Sequence, residues 1–107
     1  MKTYTNLDEL LDKTGRKIEV GSYIVYGHAL GRCAGLKFGK VIDIEFQESL
    51  PQYLSHVRIS VVGIEDDWDW MKPELTKRGF LGFPDRILVL PFEMLPEYAK
   101  ALLKDVE

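Results

Sequence analysis

The sequence predicts a mostly β domain of the α+β class, in which short antiparallel strands curl into a small barrel with a helix at each end. Three observations carry this expectation. Residues 41–46 and 57–61 alternate apolar and polar side chains with a period of two, the mark of a half-buried antiparallel sheet. Glycines and other turn formers punctuate these runs at short intervals. Apolar residues fall at helical spacing only near the two ends.

A chain of 107 residues holds one domain: an N-terminal helix over 1–15, a barrel over 16–90 and a C-terminal helix over 91–107. At this length roughly two-thirds of the unfolded surface is buried on folding, enough for one core. An apolar fraction of 46% and a charged fraction of 29% are ordinary for a globular protein and exclude wholesale disorder.

Each element has its own signals. Asn6 caps the first helix and Glu9 completes a capping box. Leu7, Leu10 and Leu11 form its apolar face, Lys13 suits its C-terminal end, and Gly15 supplies a left-handed stop. Two turns of helix do not stand alone, so these leucines are expected to pack on the rest of the domain. Ile18 and Val20 precede a Gly21-Ser22 turn, and residues 23–26 form a β-rich run. Ile42, Ile44 and Phe46 are expected to share the inward face of one strand, and Val57, Ile59 and Val61 that of its neighbour. The run Ile87-Leu88-Val89-Leu90 lacks polar alternation and is expected to be buried on both faces. Pro96 opens the last helix, with Leu95, Tyr98, Ala99, Leu102 and Leu103 at helical spacing, Glu97 early and Lys100 and Lys104 late. Residues 27–38 and 66–86 read as long loops.

The phrase Lys17-Ile18-Glu19-Val20-Gly21-Ser22-Tyr23-Ile24-Val25-Tyr26 is followed, after a loop, by Gly39-Lys40-Val41-Ile42-Asp43-Ile44. This resembles the opening of SH3-like barrels of the KOW and Tudor-like type: an apolar residue, a glycine, a polar residue and a valine-rich strand, then Gly-Lys-Val. Residues 16–65 carry the likeness, and Ser22 departs from it where such barrels usually have Asp. Small proteins of tailed bacteriophages are similar, with a helix added at one or both ends. The resemblance implies a fold and transfers no chemistry.

Charge is laid out unevenly along the chain. Residues 13–40 carry six cations against Glu19 alone, a net +5, and residues 41–71 carry seven acids against Arg58 alone, a net −6. Either the blocks pair as neighbouring strands or they mark separate surfaces. The acidic block holds the first candidate surface, Asp67, Trp68, Asp69 and Trp70. An extended chain there places both tryptophans on one face and the aspartates on the other, and tryptophan is favoured at interface hot spots. The alternative is that both tryptophans fold back and cap an open end of the barrel. The second candidate is a basic loop over 28–40 with His28, Arg32, Lys37 and Lys40, and Gly27, just before it, begins a series with Gly31, Gly35 and Gly39 that recurs every four residues. Such a loop suits phosphate or an acidic partner, with Tyr23, Tyr26 and Phe38 available for stacking.

Signals for catalysis are thin. His28 and Cys33 are five residues apart and His56 is remote, with neither a nucleophile signature nor metal-ligand spacing. The acidic segment lacks the spaced acids and central glycine of an EF-hand. No catalytic residue, metal or cofactor is expected. The expected function is a non-catalytic protein-binding module, and the resemblance adds a phage-encoded protein acting on a host factor. The alternative is a nucleic-acid-binding small barrel using the basic residues, against which the net charge of −3 counts. A lone Cys33, no secretory pattern in the first residues and no apolar run of membrane length point to the cytoplasm, the host's if the protein is viral.

Overall fold

The alternating runs become strands. The computed structural model describes residues 10–30, 33–46, 57–65, 72–76, 79–81 and 86–106, with 28–30, 33, 34, 80 and 81 as backbone only. Its strands are β1 (Tyr23–Leu30), β2 (Cys33–Phe46), β3 (Val57–Glu65), β4 (Glu74–Leu75), β5 (Gly79–Leu81) and β6 (Ile87–Leu90). A 3-10 turn over Phe92–Met94 leads into the helix α1 (Glu97–Leu103). The strands form one antiparallel sheet in the order β4-β3-β2-β1-β6, with β5 also paired to β3. Among the described residues no helix is long and apolar enough to cross a membrane.

The long strand β2 organises the sheet. It pairs with β1 through residues 33–40 and with β3 through residues 39–46. Between Val41 and Asp43 the register shifts at a bulge. Val41 is buried before the bulge, and Ile44 and Phe46 pack on the same core after it. The expected inward set of Ile42, Ile44 and Phe46 therefore holds only past the bulge, because the extra residue displaces Ile42 from the ladder. Val57, Ile59 and Val61 are buried as expected, and Ile44 lies directly opposite Ile59. Leu10, Ile18, Ile24, Tyr26 and Ile87 complete this core. A second cluster, Ile64, Leu95, Ala99 and Leu103, joins α1 to Tyr23, Phe38 and Leu90 on the other face of the sheet.

Gly39 and Gly63 are register partners on β2 and β3, and the Tyr26 ring from β1 lies across both. A Cβ on Gly63 would meet Tyr26 Oη at 2.0 Å, and one on Gly39 would meet Val62 O at 2.8 Å and Tyr26 Cε1 at 3.1 Å. Here glycine is required for close approach, not for an unusual dihedral.

Four further expectations need correcting and a fifth finds only part of its architecture. Residues 10–17 form a tight hairpin in place of the end of a helix: Leu11 bridges Lys17, and the Asp12 N–H donates to Arg16 O at 2.9 Å. Gly15 does take a positive φ of 86°, but as the last residue of a turn. The Asp12-Lys13-Thr14-Gly15 sequence, with Asp first and Gly fourth, favours that turn. Asp12 Oδ1 reinforces it by accepting from Thr14 N at 2.8 Å, Thr14 Oγ1 at 2.6 Å and Arg16 N at 3.0 Å. The remainder of the expected helix, with Asn6, Leu7 and Glu9, lies outside the described residues. The expected loop over 27–38 is instead the β1–β2 hairpin, and the expected loop over 66–86 contains β4 and β5. Strand β6 is not buried on both faces, since Leu88 is 39% exposed. Finally, the sheet is open. Closure into a barrel needs β6 to pair with the far strands, and no such pairing is present among the described residues. The N-terminal hairpin occupies that edge: Val89 N–H donates to Asp12 Oδ2 at 2.7 Å, and Val89 O accepts from Arg16 Nη1 at 3.0 Å.

Candidate binding surface

A strand presents alternate side chains to opposite faces. On β1, Ile24 and Tyr26 point into the main core, so Tyr23, Val25 and Gly27 belong to the outer face. Register brings Leu88 of β6 beside Val25 and Leu36 of β2 beside Gly27. The second cluster covers one end of this face, at Tyr23, Phe38 and Leu90. The other end stays open as a groove of about 310 Å3 lined by Lys13, Val25, Gly27, Leu36, Arg86 and Leu88. Leu36 is 72% exposed there, and Lys13 and Arg86 are exposed too. Among the described residues the floor is apolar, and both charged lining residues are cations.

The hairpin places Lys13. Its turn is closed by Gly15 N–H to Asp12 O at 3.1 Å and pinned to β6 through Asp12 and Arg16. Burial alone would raise the pKa of Asp12. The hydrogen bonds from the Thr14 hydroxyl and from the N–H groups of Val89, Arg16 and Thr14 outweigh it and hold the carboxyl below its ordinary value. Asp12 is thus a buried anion satisfied by donors, and it fixes the backbone on which Lys13 stands.

The residues singled out in the sequence are placed differently. Asp67, Trp68, Asp69 and Trp70 lie outside the described residues, as do Arg32 and His56. His28 pairs with Gly35, and Cys33 with Leu30, in the β1–β2 ladder. Lys37 is only 6% exposed. Lys40 Nζ donates to Val106 O and stands 5.4 Å from the centre of the Tyr23 ring, so it secures the segment after α1. The structure therefore does not gather His28, Arg32, Lys37 and Lys40 into one exposed basic loop: two of the four belong to the packed fold. Glu45 meets Arg58 at 2.8 Å across β2 and β3, both from the acidic block, and Glu65 faces Glu74 across β3 and β4. No group of three or more metal-ligating side chains occurs among the described residues.

Leu36, Leu88 and Lys13 were missed as site residues. The available signal was the unbroken apolar run of 87–90, which a fully covered strand and a strand with a sticky outer face share. No family model matches the chain, and neither the curated proteins nor the solved structures give a significant match.

Proposed function

We propose that this chain is a non-catalytic protein-binding module built on an SH3-like barrel, and that its contact surface is the uncovered half of the outer sheet face. The barrel reading draws support from β2, shared by two hairpins and bulged at Ile42, and from the order in which β6 returns beside β1. The observation that carries the function is the groove: Leu36 and Leu88 stand exposed beside Val25 on a regular sheet face that α1 leaves bare. Clustered exposed apolar side chains on a sheet face mark interaction sites. The resemblance to small bacteriophage proteins makes a host factor the first partner to test. The Asp67, Trp68, Asp69 and Trp70 segment is a second contact surface in this reading. The nucleic-acid alternative has weaker support, because Lys37 and Lys40 are engaged within the fold.

The test is affinity capture from host lysate with wild type, Leu36→Asp, Trp68→Ala/Trp70→Ala and a control, Met94→Asp, at an exposed apolar residue of the 3-10 turn. A nuclease-resistant protein captured by wild type and Met94→Asp but lost with Leu36→Asp is the expected result. Identical capture by all four proteins, or capture that disappears with nuclease, overturns it.

A further inference from the structure

From the same groove, and resting on the binding-module reading, we infer that the partner presents an extended segment in which large apolar side chains alternate with carboxylates. Three observations carry this. The floor, Val25, Gly27, Leu36 and Leu88, offers no polar side chain, so what enters it is apolar. Its volume of about 310 Å3 suits a few side chains and lies at the small end of ligand sites, roughly 300–1,000 Å3. Among the described residues, the two charged groups on its rim are both cations, in a chain whose net charge is −3.

These cations do not follow from a generally basic surface. Arg86 precedes the first residue of β6, and Lys13 stands on the turn that Asp12 and Arg16 pin to the outer edge of β6. Both therefore flank the β6 side of the groove, while Leu36 marks the β2 side. No ion pair holds Lys13 among the described residues. Its backbone is fixed by the turn, so less freedom is lost when its ammonium meets a carboxylate. An apolar residue seated between Leu36 and Leu88 carries its chain neighbours toward the rim, where an acid is attracted and a base repelled. Like-charge juxtaposition is the element that rejects the wrong partner.

Gly27 makes the idea testable without harming the fold. A Cβ placed there meets nothing within 4 Å, and its φ is not positive. It shares the outer face with Val25, so Gly27→Leu fills the groove from its floor. The thermal midpoint should hold or rise, since glycine is a poor strand residue.

Two blocked, fluorescein-labelled peptides serve as probes, Glu-Leu-Asp-Leu-Glu and Lys-Leu-Lys-Leu-Lys, titrated with the full chain by fluorescence anisotropy. The acidic peptide should bind at least about tenfold more tightly than the basic one, since opposed charges favour the encounter and like charges oppose it. Its affinity should fall by about tenfold in Gly27→Leu and in Lys13→Glu, and should weaken with added salt as exposed charges are screened. Each variant is first shown by its thermal midpoint to be folded. Equal binding of both peptides, lost in Gly27→Leu, overturns the charge assignment and leaves the groove as a contact surface. Binding indifferent to Gly27→Leu, or no binding of either peptide, overturns the inference whatever the lysate capture shows.

Discussion

Replacing Gly63 by alanine tests the centre of the fold. The new methyl carbon would lie 2.0 Å from Tyr26 Oη and 3.2 Å from its Cζ, where ordinary contact begins near 3.4 Å. The ring must move by more than an ångström, and it has little room. Tyr26 is 8% exposed and already lies against Gly39 on the next strand. Gly63 is also held from the other side. Its N–H donates to Thr76 Oγ1 at 3.2 Å, and its carbonyl accepts from Thr76 N at 2.8 Å. Overpacking of this kind costs about 1–3 kcal/mol, partly offset by the roughly 0.4–1 kcal/mol that alanine usually contributes through the unfolded chain. Removing Oη by Tyr26→Phe leaves only the 3.2 Å contact, which a few tenths of an ångström relieves. The double variant should therefore recover about 1 kcal/mol or more relative to additivity. Urea denaturation of wild type, both single variants and the double variant measures this coupling. Additivity within about 0.5 kcal/mol would refute the claim that Tyr26 needs the Gly39–Gly63 pair as its seat.

Three further outcomes are expected. Ile59→Asp should abolish the cooperative thermal transition, because Ile59 is fully buried and the aspartate would be an unpaired buried charge; Ile44→Asp, opposite it and half-buried, should lower the midpoint sharply, and an unchanged midpoint would place Ile44 on the wrong face. Asp12→Asn should lose about 1.5–3 kcal/mol near neutral pH, the range for hydrogen bonds to a charged group. The folded carboxyl titrates below its unfolded value of about 4, so its contribution is complete above that pH and disappears as pH falls through the folded pKa; the stability gap between wild type and variant should shrink below about pH 4, as urea midpoints at several pH values will show. Lys40→Met should cost about 1 kcal/mol and speed amide exchange near Val106, because it removes the bond to that carbonyl and the contact with Tyr23; an unchanged exchange rate would return Lys40 to the set of available surface cations.

How far the sequence reaches is clearest element by element. The alternation of residues 57–61 correctly assigned the inner face of β3, because a register error there would bury Arg58 and expose three apolar residues. Pro96 and the spacing of Leu95, Ala99 and Leu103 located the last helix, since all three are buried where the pattern put them. Periodicity failed where two patterns coincide. Leu7, Leu10 and Leu11 match a helix, yet Leu10 and Leu11 belong to a hairpin whose turn, Asp12-Lys13-Thr14-Gly15, was also written in the chain. The four spaced glycines looked like a loop because glycine is a poor strand former. One of them, Gly31, and the Arg32 that follows are all that separate the paired Leu30 and Cys33, and a glycine followed by any residue is a two-residue hairpin signal.

The sequence by itself determined a mostly β chain with a terminal helix, because local alternation, turn residues and helix spacing depend on near neighbours. It left open which cations are exposed and which apolar residues are bare. Lys37 lies inside the fold, Lys40 ties down the segment after α1, and Leu36 stands in solvent, although all three occupy one strand and one stretch of sequence. Those outcomes depend on what packs above the strand from far along the chain. Helix α1 has seven residues, about 10 Å at 1.5 Å per residue, against about 26 Å for the eight residues of β1. A helix that short covers one end of the outer face and leaves the other bare. Only the tertiary structure decided which end, by seating Leu95, Ala99 and Leu103 over Tyr23, Phe38 and Leu90 and leaving Val25, Leu36 and Leu88 without a cover among the described residues.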